Sequence, residues 1–193
     1  MGPLAVLLHN TPARLRVLGA MALLVPKRRV GLVVQGPGRW NVYDPRIIRW
    51  RLTGPGRSDQ FRSLTQLRRA VEPVAASLAA RNATAAQRTR IAELAVDLRR
   101  LGEAGALVDF LAADIEFHHL ILEASGNDMF SALREVITEV LSGRTHQGLM
   151  PRTPRPHALD THEQVAHAIR DGDAATAEAG MASLLAEVSS AIL

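Results

Sequence analysis

The sequence contains no cysteine, which excludes disulfides, thiolate nucleophiles and cysteine-ligated metal sites. Aromatic residues make up only 4% of its 193 residues, and alanine, leucine and valine carry most of the 47% hydrophobic share, a composition that favours helices packed on helices. The longest apolar stretch without a charge, Val17 to Pro26, is shorter than the ~20 residues of a membrane span. Met1 to Asn10 lack the Lys or Arg of a signal peptide. These absences predict a cytoplasmic protein with no membrane partner, built as one domain with a smaller appendage.

Positive charge is concentrated at the front of the chain. Up to residue 60 there are ten basic residues against two acidic ones, whereas the remainder holds 13 basic and 17 acidic residues. A basic segment on a mildly acidic body predicts an appendage that faces a polyanion. The alternative is genome composition, since 22 of the 23 basic residues are arginine. Charge alone leaves both interpretations open.

The front of the chain predicts three short elements. Apolar residues at spacings of three and four indicate an amphipathic helix from Thr11 to Leu24, ended by Pro26. Two β-branched runs between Leu24 and Val34 flank a basic turn, which predicts a β-hairpin. Further on, Asp44 and the proline after it are typical of a helix N-terminus, so a short helix should begin there.

From Asp59 to the end, apolar residues follow the helical period almost without interruption. The pattern predicts six helices joined mostly by short loops, and therefore an all-α antiparallel bundle of six to seven helices. The fourth helix should cover Met129 to Leu141. Glycines and prolines predict a loop over Gly143 to His157, and Asp160 is the predicted cap of the fifth helix.

Asp114 and His118 form the most specific local signal. They lie four residues apart on a predicted helix and therefore point the same way, on the face that also carries Phe110, Phe117 and Ile121. A carboxylate on an apolar face needs a cation, a hydrogen-bond donor or a metal ion. The histidine can be a hydrogen-bond partner or a second ligand of a divalent ion. A buried, satisfied Asp–His pair is the alternative.

His162, at the head of the fifth predicted helix, faces inward because Val165, Ala166 and Ile169 continue its face. Two histidines and one aspartate from two helices could form a facial triad for a divalent metal, namely zinc, nickel or iron. His119, His146, His157 and His167 are predicted to lie at the surface or in loops. Because no nucleophile elbow, phosphate loop or second catalytic group accompanies His118, we do not expect an enzyme.

The chain from Leu64 to Val188 resembles the ligand-binding domain of the FadR subfamily of GntR-type bacterial transcription regulators. Four segments carry the resemblance, in order: residues 67–73 (LRRAVEP), 114–118 (DIEFH), 122–127 (LEASGN) and 162–165 (HEQV). Residues 40–45 (WNVYDP) and Trp50 are similar to the linker of members that respond to sugar acids. The resemblance implies an all-α bundle that binds a small carboxylate effector, often beside a divalent metal, in homodimers bound to operator DNA.

By position, the resemblance implies that Asp114, His118 and His162 are metal ligands and that Arg68 faces the effector. The usual fourth ligand of the family is a histidine in the last helix, and Leu184 stands at the corresponding place here. A leucine cannot bind a metal ion. We therefore expect three protein ligands, with water or the effector filling the remaining positions.

Residues 15–31 resemble the end of the recognition helix and the wing of a winged helix-turn-helix. The two helices that precede it in the family have no counterpart in the sequence, and Pro12 falls where the family presents a polar or basic side chain. A recognition helix depends on the helices that support it. The expectation is therefore a truncated head, whose specific DNA binding is weak or lost. Its phosphate contacts would come from Arg14, Arg16, Lys27, Arg28 and Arg29.

These observations predict three segments: a partial winged helix-turn-helix at 1–38, a linker with a short helix at 39–58, and a helical ligand-binding domain at 59–193. The predicted function is a metabolite-responsive transcription regulator. One alternative is a stand-alone ligand-binding dimer without specific DNA binding. The other, an enzyme that uses the Asp–His–His cluster, lacks a placed base or nucleophile.

Overall fold

The computed structural model describes residues 12–151 and 153–190, with side chains for 15–151 and 153–187. The chain divides into two units between Ile47 and Ile48, and each is described separately below. In the described residues no helix has the length and apolar character needed to cross a membrane.

The first unit contains the predicted hairpin and a helix that is shorter than predicted. The helix ends at Ala20 and not at Leu24, because Ala22 has a positive φ of 56° and Leu24 and Pro26 belong to the first strand. Helix α1 spans Pro12–Ala20, and strands β1 (Leu24–Lys27) and β2 (Gly31–Val34) pair antiparallel. The turn between them requires positive φ at Arg29 (63°) and at Gly31 (94°), where a glycine avoids strain. A 3-10 turn at Pro37–Arg39 follows. The hairpin predicted from the basic turn is confirmed.

Helix α2 (Pro45–Thr53) begins in the first unit, and its residues from Ile48 onward belong to the second. It starts as the sequence predicted, because Asp44 accepts a hydrogen bond from the backbone N–H of Arg46 at 2.9 Å. The Arg46 guanidinium also donates to Asp44 and is the main reason why the pKa of that carboxyl lies below its usual value.

The second unit is the predicted antiparallel helical bundle. Its helices are α3 (Arg57–Asn82), α4 (Ala85–Glu103), α5 (Leu107–Ala124), α6 (Asp128–Ser131), α7 (Arg134–His146), α8 (Pro156–Asp171) and α9 (Ala174–Ser190). Helix α3 packs against α5, α8 and α9, and α4 packs against α5 and α8. Alanines fill much of the buried face of α3, and the short side chains let neighbouring helices approach closely.

Three predicted boundaries in the second unit are wrong. The fourth predicted helix is two helices, the single turn α6 and the longer α7. Helix α7 continues through Gly143 because this glycine is a packing contact, and a Cβ there would come within 2.9 Å of Leu52. Helix α8 starts at Pro156, before Asp160, since the first turn of a helix tolerates a residue without an N–H. The predicted loop from Gly143 to His157 is shorter for both reasons.

Arg88 stabilises the ends of two helices at once. Its guanidinium donates to the carbonyls of Ala80 and Ala83 at the end of α3, and to those of Ile169 and Arg170 at the end of α8. The last carbonyls of a helix have no hydrogen-bond partner within the helix. The bonds from half-buried Arg88 satisfy these carbonyls where water would otherwise have to bind.

We therefore expect Arg88→Met to lower the free energy of unfolding by about 1–3 kcal/mol in urea titrations followed by circular dichroism. Arg100→Met is the matched control on the same helix, because Arg100 is exposed and pairs with Asp97 alone among the described residues. This control should change stability little. Equal losses in the two variants would contradict the capping role of Arg88.

Candidate metal centre

Three helices direct polar side chains into the centre of the bundle. Asp114 and His118 lie one turn apart on α5, His162 lies near the start of α8, and Arg68 comes from α3. All four residues are buried. The structure thus brings together the four site residues that the sequence singled out for this domain.

Asp114, His118 and His162, the Asp–His–His triad, converge on one point. Asp114 Oδ1 lies 3.2 Å from His162 Nε2 and 3.5 Å from His118 Nε2. One ligand atom from each residue lies within 4.8 Å of the other two. Ligand atoms about 2.1 Å from one ion are about 3–3.5 Å apart at tetrahedral or octahedral angles, so the two aspartate distances fit a shared ion.

Both histidines are held so that Nε2 faces the centre of the triad. His162 Nδ1 donates to the backbone carbonyl of Ala158 at 2.6 Å, so Nε2 is the nitrogen that faces Asp114 and would face a bound ion. His118 Nδ1 lies 2.6 Å from Glu72 Oε2, and its Nε2 lies 3.3 Å from Arg68 Nη2. A carboxylate or carbonyl behind each imidazole is the arrangement that orients histidine ligands in metal sites.

The charges of the site favour an ionised Asp114. Burial alone would raise the pKa of Asp114, but hydrogen bonds and charges from His118 and His162 outweigh it and hold the pKa well below its usual value. Burial would lower the pKa of His118, but the charge of Glu72 and the hydrogen bonds to Asp114 and Glu72 outweigh it and raise the pKa. The donor set, two imidazoles and one carboxylate, suits zinc, nickel or iron.

Glu72 is a site residue to which the sequence analysis assigned no role. It is buried, and its Oε1 accepts from Arg68 Nε at 2.5 Å while its Oε2 faces His118. Burial would raise the pKa of Glu72, but Arg68 and His118 together lower it to about 2. The signal in the sequence was the spacing, since Glu72 follows Arg68 by four residues and shares its helix face.

A cavity of about 50 Å³ adjoins the triad and is lined by Arg68, Leu184 and a second arginine, Arg144. Leu184 lies on α9 at the place where the family resemblance implied a fourth ligand. Arg144, on the last turn of α7, is buried and was not singled out from the sequence. Nothing in the sequence pointed to Arg144, because it falls in the loop predicted from Gly143 onward and an arginine in a loop is normally exposed to solvent.

The remaining predicted residues lie outside the triad. Arg16, Lys27, Arg28 and Arg29 are exposed in the first unit, the last three at the hairpin turn, and the side chain of Arg14 lies outside the described residues. His146, His157 and His167 are exposed, as predicted. His119 is half-buried and bonds to Thr138 Oγ1 and to the backbone carbonyl of Arg134.

The chain is similar to a known domain family and to two bacterial transcription regulators. The FCD domain family matches residues 63–187. The chain is 28% identical over 165 residues to the galactonate operon transcriptional repressor of Escherichia coli (strain K12), covering 83% of this chain and 70% of that protein. It is 25% identical over 166 residues to the HTH-type transcriptional regulator YieP of the same organism, covering 83% and 69%.

Among solved structures, Streptococcus agalactiae GntR has a similar fold. Its TM-score is 0.59 at 22% identity, and the similarity covers 90% of this chain and 77% of that one. The sequence relatives are transcription regulators rather than enzymes.

Proposed function

Because the chain belongs to the FCD domain family, the C-terminal domain of GntR/FadR-type transcription regulators, we propose that it is a metabolite-responsive, DNA-binding regulator whose bundle binds a small carboxylate effector. The observation that carries the effector proposal is the cavity beside the triad, where Arg68 Nη1 is buried without a hydrogen-bond partner among the described residues. A buried guanidinium N–H without a partner is costly, and a ligand carboxylate would satisfy it.

Asp114, His118 and His162 would hold a divalent ion in this proposal. The ion would supply a Lewis-acidic position that accepts one oxygen of the effector. Arg68 would donate to the same carboxylate, while Glu72 positions both Arg68 and His118. Leu184 provides an apolar wall where a fourth protein ligand would otherwise stand.

A six-carbon sugar acid is the first effector to test, because one relative is named as the repressor of a galactonate operon. We expect galactonate or a similar acid to raise the melting temperature, since a ligand that binds only the folded state stabilises it by mass action. The measurement is a thermal shift with and without zinc. Galactose, which has no carboxylate, is the matched control. No shift with a panel of sugar acids in either condition would contradict the proposal.

The proposed DNA contacts are five basic residues of the first unit: Arg14, Arg16, Lys27, Arg28 and Arg29. Lysine and arginine at phosphates set affinity, and each contact steepens the loss of binding with salt.

We expect the triple change of Lys27, Arg28 and Arg29 to glutamine to weaken DNA binding and to flatten its salt dependence, as measured by fluorescence anisotropy at several salt concentrations. Changing Arg62, Arg69 and Arg81 of α3 to glutamine is the control with the same loss of charge. If both triples behave alike, the contacts are general electrostatics. If the native chain binds no DNA at low salt, the alternative of a ligand-binding dimer without DNA binding is favoured.

We propose the same three segments as above, with 1–38 facing DNA, 39–58 as linker and 59–193 as effector domain. We also propose a homodimer, on the family resemblance. Light scattering after size exclusion tests the dimer, and a monomer at micromolar concentration would contradict it.

A further inference from the structure

Arg144 is a buried cation that forms no ion pair with any carboxylate in the described part of the chain. Only 8% of the residue is exposed, its Nε has no hydrogen-bond partner, and no described carboxylate forms an ion pair with it. Arg68 is different, because Glu72 pairs with two of its nitrogens. Of the two buried arginines, Arg68 is thus neutralised by a neighbouring carboxylate, whereas Arg144 has no such partner among the residues that the structure describes.

An unpaired buried charge is unfavourable for folding. Burial and, to a smaller extent, the charge of Arg68 lower the pKa of Arg144 to about 10, because Asp114 and Glu187 offset them only in part. A ligand anion would remove this cost by supplying the missing negative charge. The same physical argument applies to Arg68 Nη1. The two hydrogen-bond donors without a partner among the described residues are therefore Arg68 Nη1 and Arg144 Nε.

The two donors face different parts of the binding space. Arg68 and the triad line the first cavity, whereas Arg144 lines that cavity and an adjoining one of about 70 Å³. Met150 and Leu184 are apolar walls of both cavities. An anionic group on Arg144 would thus lie beyond the one at Arg68, in a low-dielectric passage where a charge-assisted hydrogen bond is strong.

We propose that Arg144 is a second anion-binding position and that the effector is a dicarboxylate, with one carboxylate at Arg68 and the triad and the other on Arg144. This inference rests on the proposed function. The charge balance agrees with it. Arg68 with Glu72 and Arg155 with Glu187 are ion pairs, and the remaining charges of Arg144 and Asp114 sum to zero. A divalent ion on the triad would therefore leave two positive charges for a dianion to neutralise.

Galactarate and galactonate form the test pair, because they share one carbon skeleton and differ by a carboxylate in place of a terminal hydroxymethyl group. We expect titration calorimetry on the zinc-loaded and the metal-free protein to give at least about 10-fold tighter binding of galactarate. Tartrate and threonate provide the same comparison on a four-carbon skeleton.

Arg144→Gln should reduce the preference for the dicarboxylate to about 1-fold and leave galactonate affinity within about 3-fold. This variant should fold, since it removes an unpaired buried charge, and its unliganded melting temperature should be no lower than that of the native chain. Arg144→Lys keeps a cation and should keep part of the preference. Arg155→Gln is the control, because Arg155 lines the adjoining cavity but its side chain is 66% exposed.

The outcomes separate the two proposals. Equal affinities for the paired acids, or a preference that survives in Arg144→Gln, would overturn the dicarboxylate while leaving a carboxylate effector in place. No binding of any of the four acids, with and without zinc, would contradict the proposed function and this inference together.

Discussion

Replacing His118 by alanine should abolish the uptake of a divalent metal ion while leaving the bundle folded. His118 supplies one of only three protein ligands in the proposed centre, and its Nε2 lies 3.5 Å from the Asp114 oxygen that would share the ion. The described residues offer no fourth ligand atom at this place, so we expect the two remaining ligands to bind an ion too weakly for uptake at micromolar metal. The apolar residues around His118, including Phe117 and Ile121, remain to hold α5 in place.

The measurement is elemental analysis after zinc loading and exhaustive dialysis. We expect about one zinc per chain in the native protein and almost none in His118→Ala. Zinc should also raise the melting temperature of the native protein alone, because metal binding to the folded state is linked to folding.

His119→Ala is a closely matched control. This histidine is the next residue on the same helix, but it points to Thr138 and Arg134 and not to the triad. The His119→Ala variant should therefore retain the zinc content of the native protein. If the native protein and His118→Ala hold the same amount of metal, the triad is a satisfied polar network, which is the alternative that the Asp–His spacing left open.

Glu72→Ala should cost the protein about 3–5 kcal/mol of unfolding free energy, the largest stability effect that we expect of any single change discussed here. Glu72 is the partner of a fully buried arginine, and its removal leaves Arg68 charged and uncompensated in the core. The same change frees Nδ1 of His118 from its acceptor. The orientation of that ring should loosen, so zinc affinity should fall as well.

Glu103→Ala is the matched control for Glu72→Ala, because it removes the acidic partner of an exposed Arg–Glu pair. Arg99 and Glu103 have the same order and the same four-residue spacing as Arg68 and Glu72, but Glu103 is 63% exposed. Water replaces the lost partner at such a place, so this variant should unfold close to the native midpoint in urea. Similar midpoints for Glu72→Ala and Glu103→Ala would show that the buried pair contributes no more than a surface pair.

The boundaries of the helices show which structural features local sequence patterns can predict and which they cannot. Thr84 forms a full capping box with Gln87 at the start of α4, a purely local arrangement of two residues three positions apart. Gly143 was interpreted as a helix breaker, because its local propensity is unfavourable. The breaker interpretation is wrong because Leu52 and Phe61 occupy the space that a side chain at Gly143 would need. The low helix propensity of glycine was outweighed by the contact of Gly143 with Leu52, a residue some 90 positions away in the chain.

The sequence by itself determined the class of the fold and indicated the three residues of the Asp–His–His triad. A helical period is repeated every few residues, so it can be followed along the chain without a structure. The four-residue spacing of Asp114 and His118 fixes their common face for the same reason. His162 could be predicted to face inward, but its distance to Asp114 depends on how α5 and α8 pack.

Only the tertiary structure decided which charges are paired. Glu72 faces His118, and Arg144 has no described ion-pair partner, although both residues are charged groups on helices and look alike in the sequence. Burial and pairing depend on helices that are distant in the chain, and they change the free energy of a charge by several kcal/mol in order of magnitude. Local patterns contain no such information, because the solvation of a side chain is a property of the packed bundle.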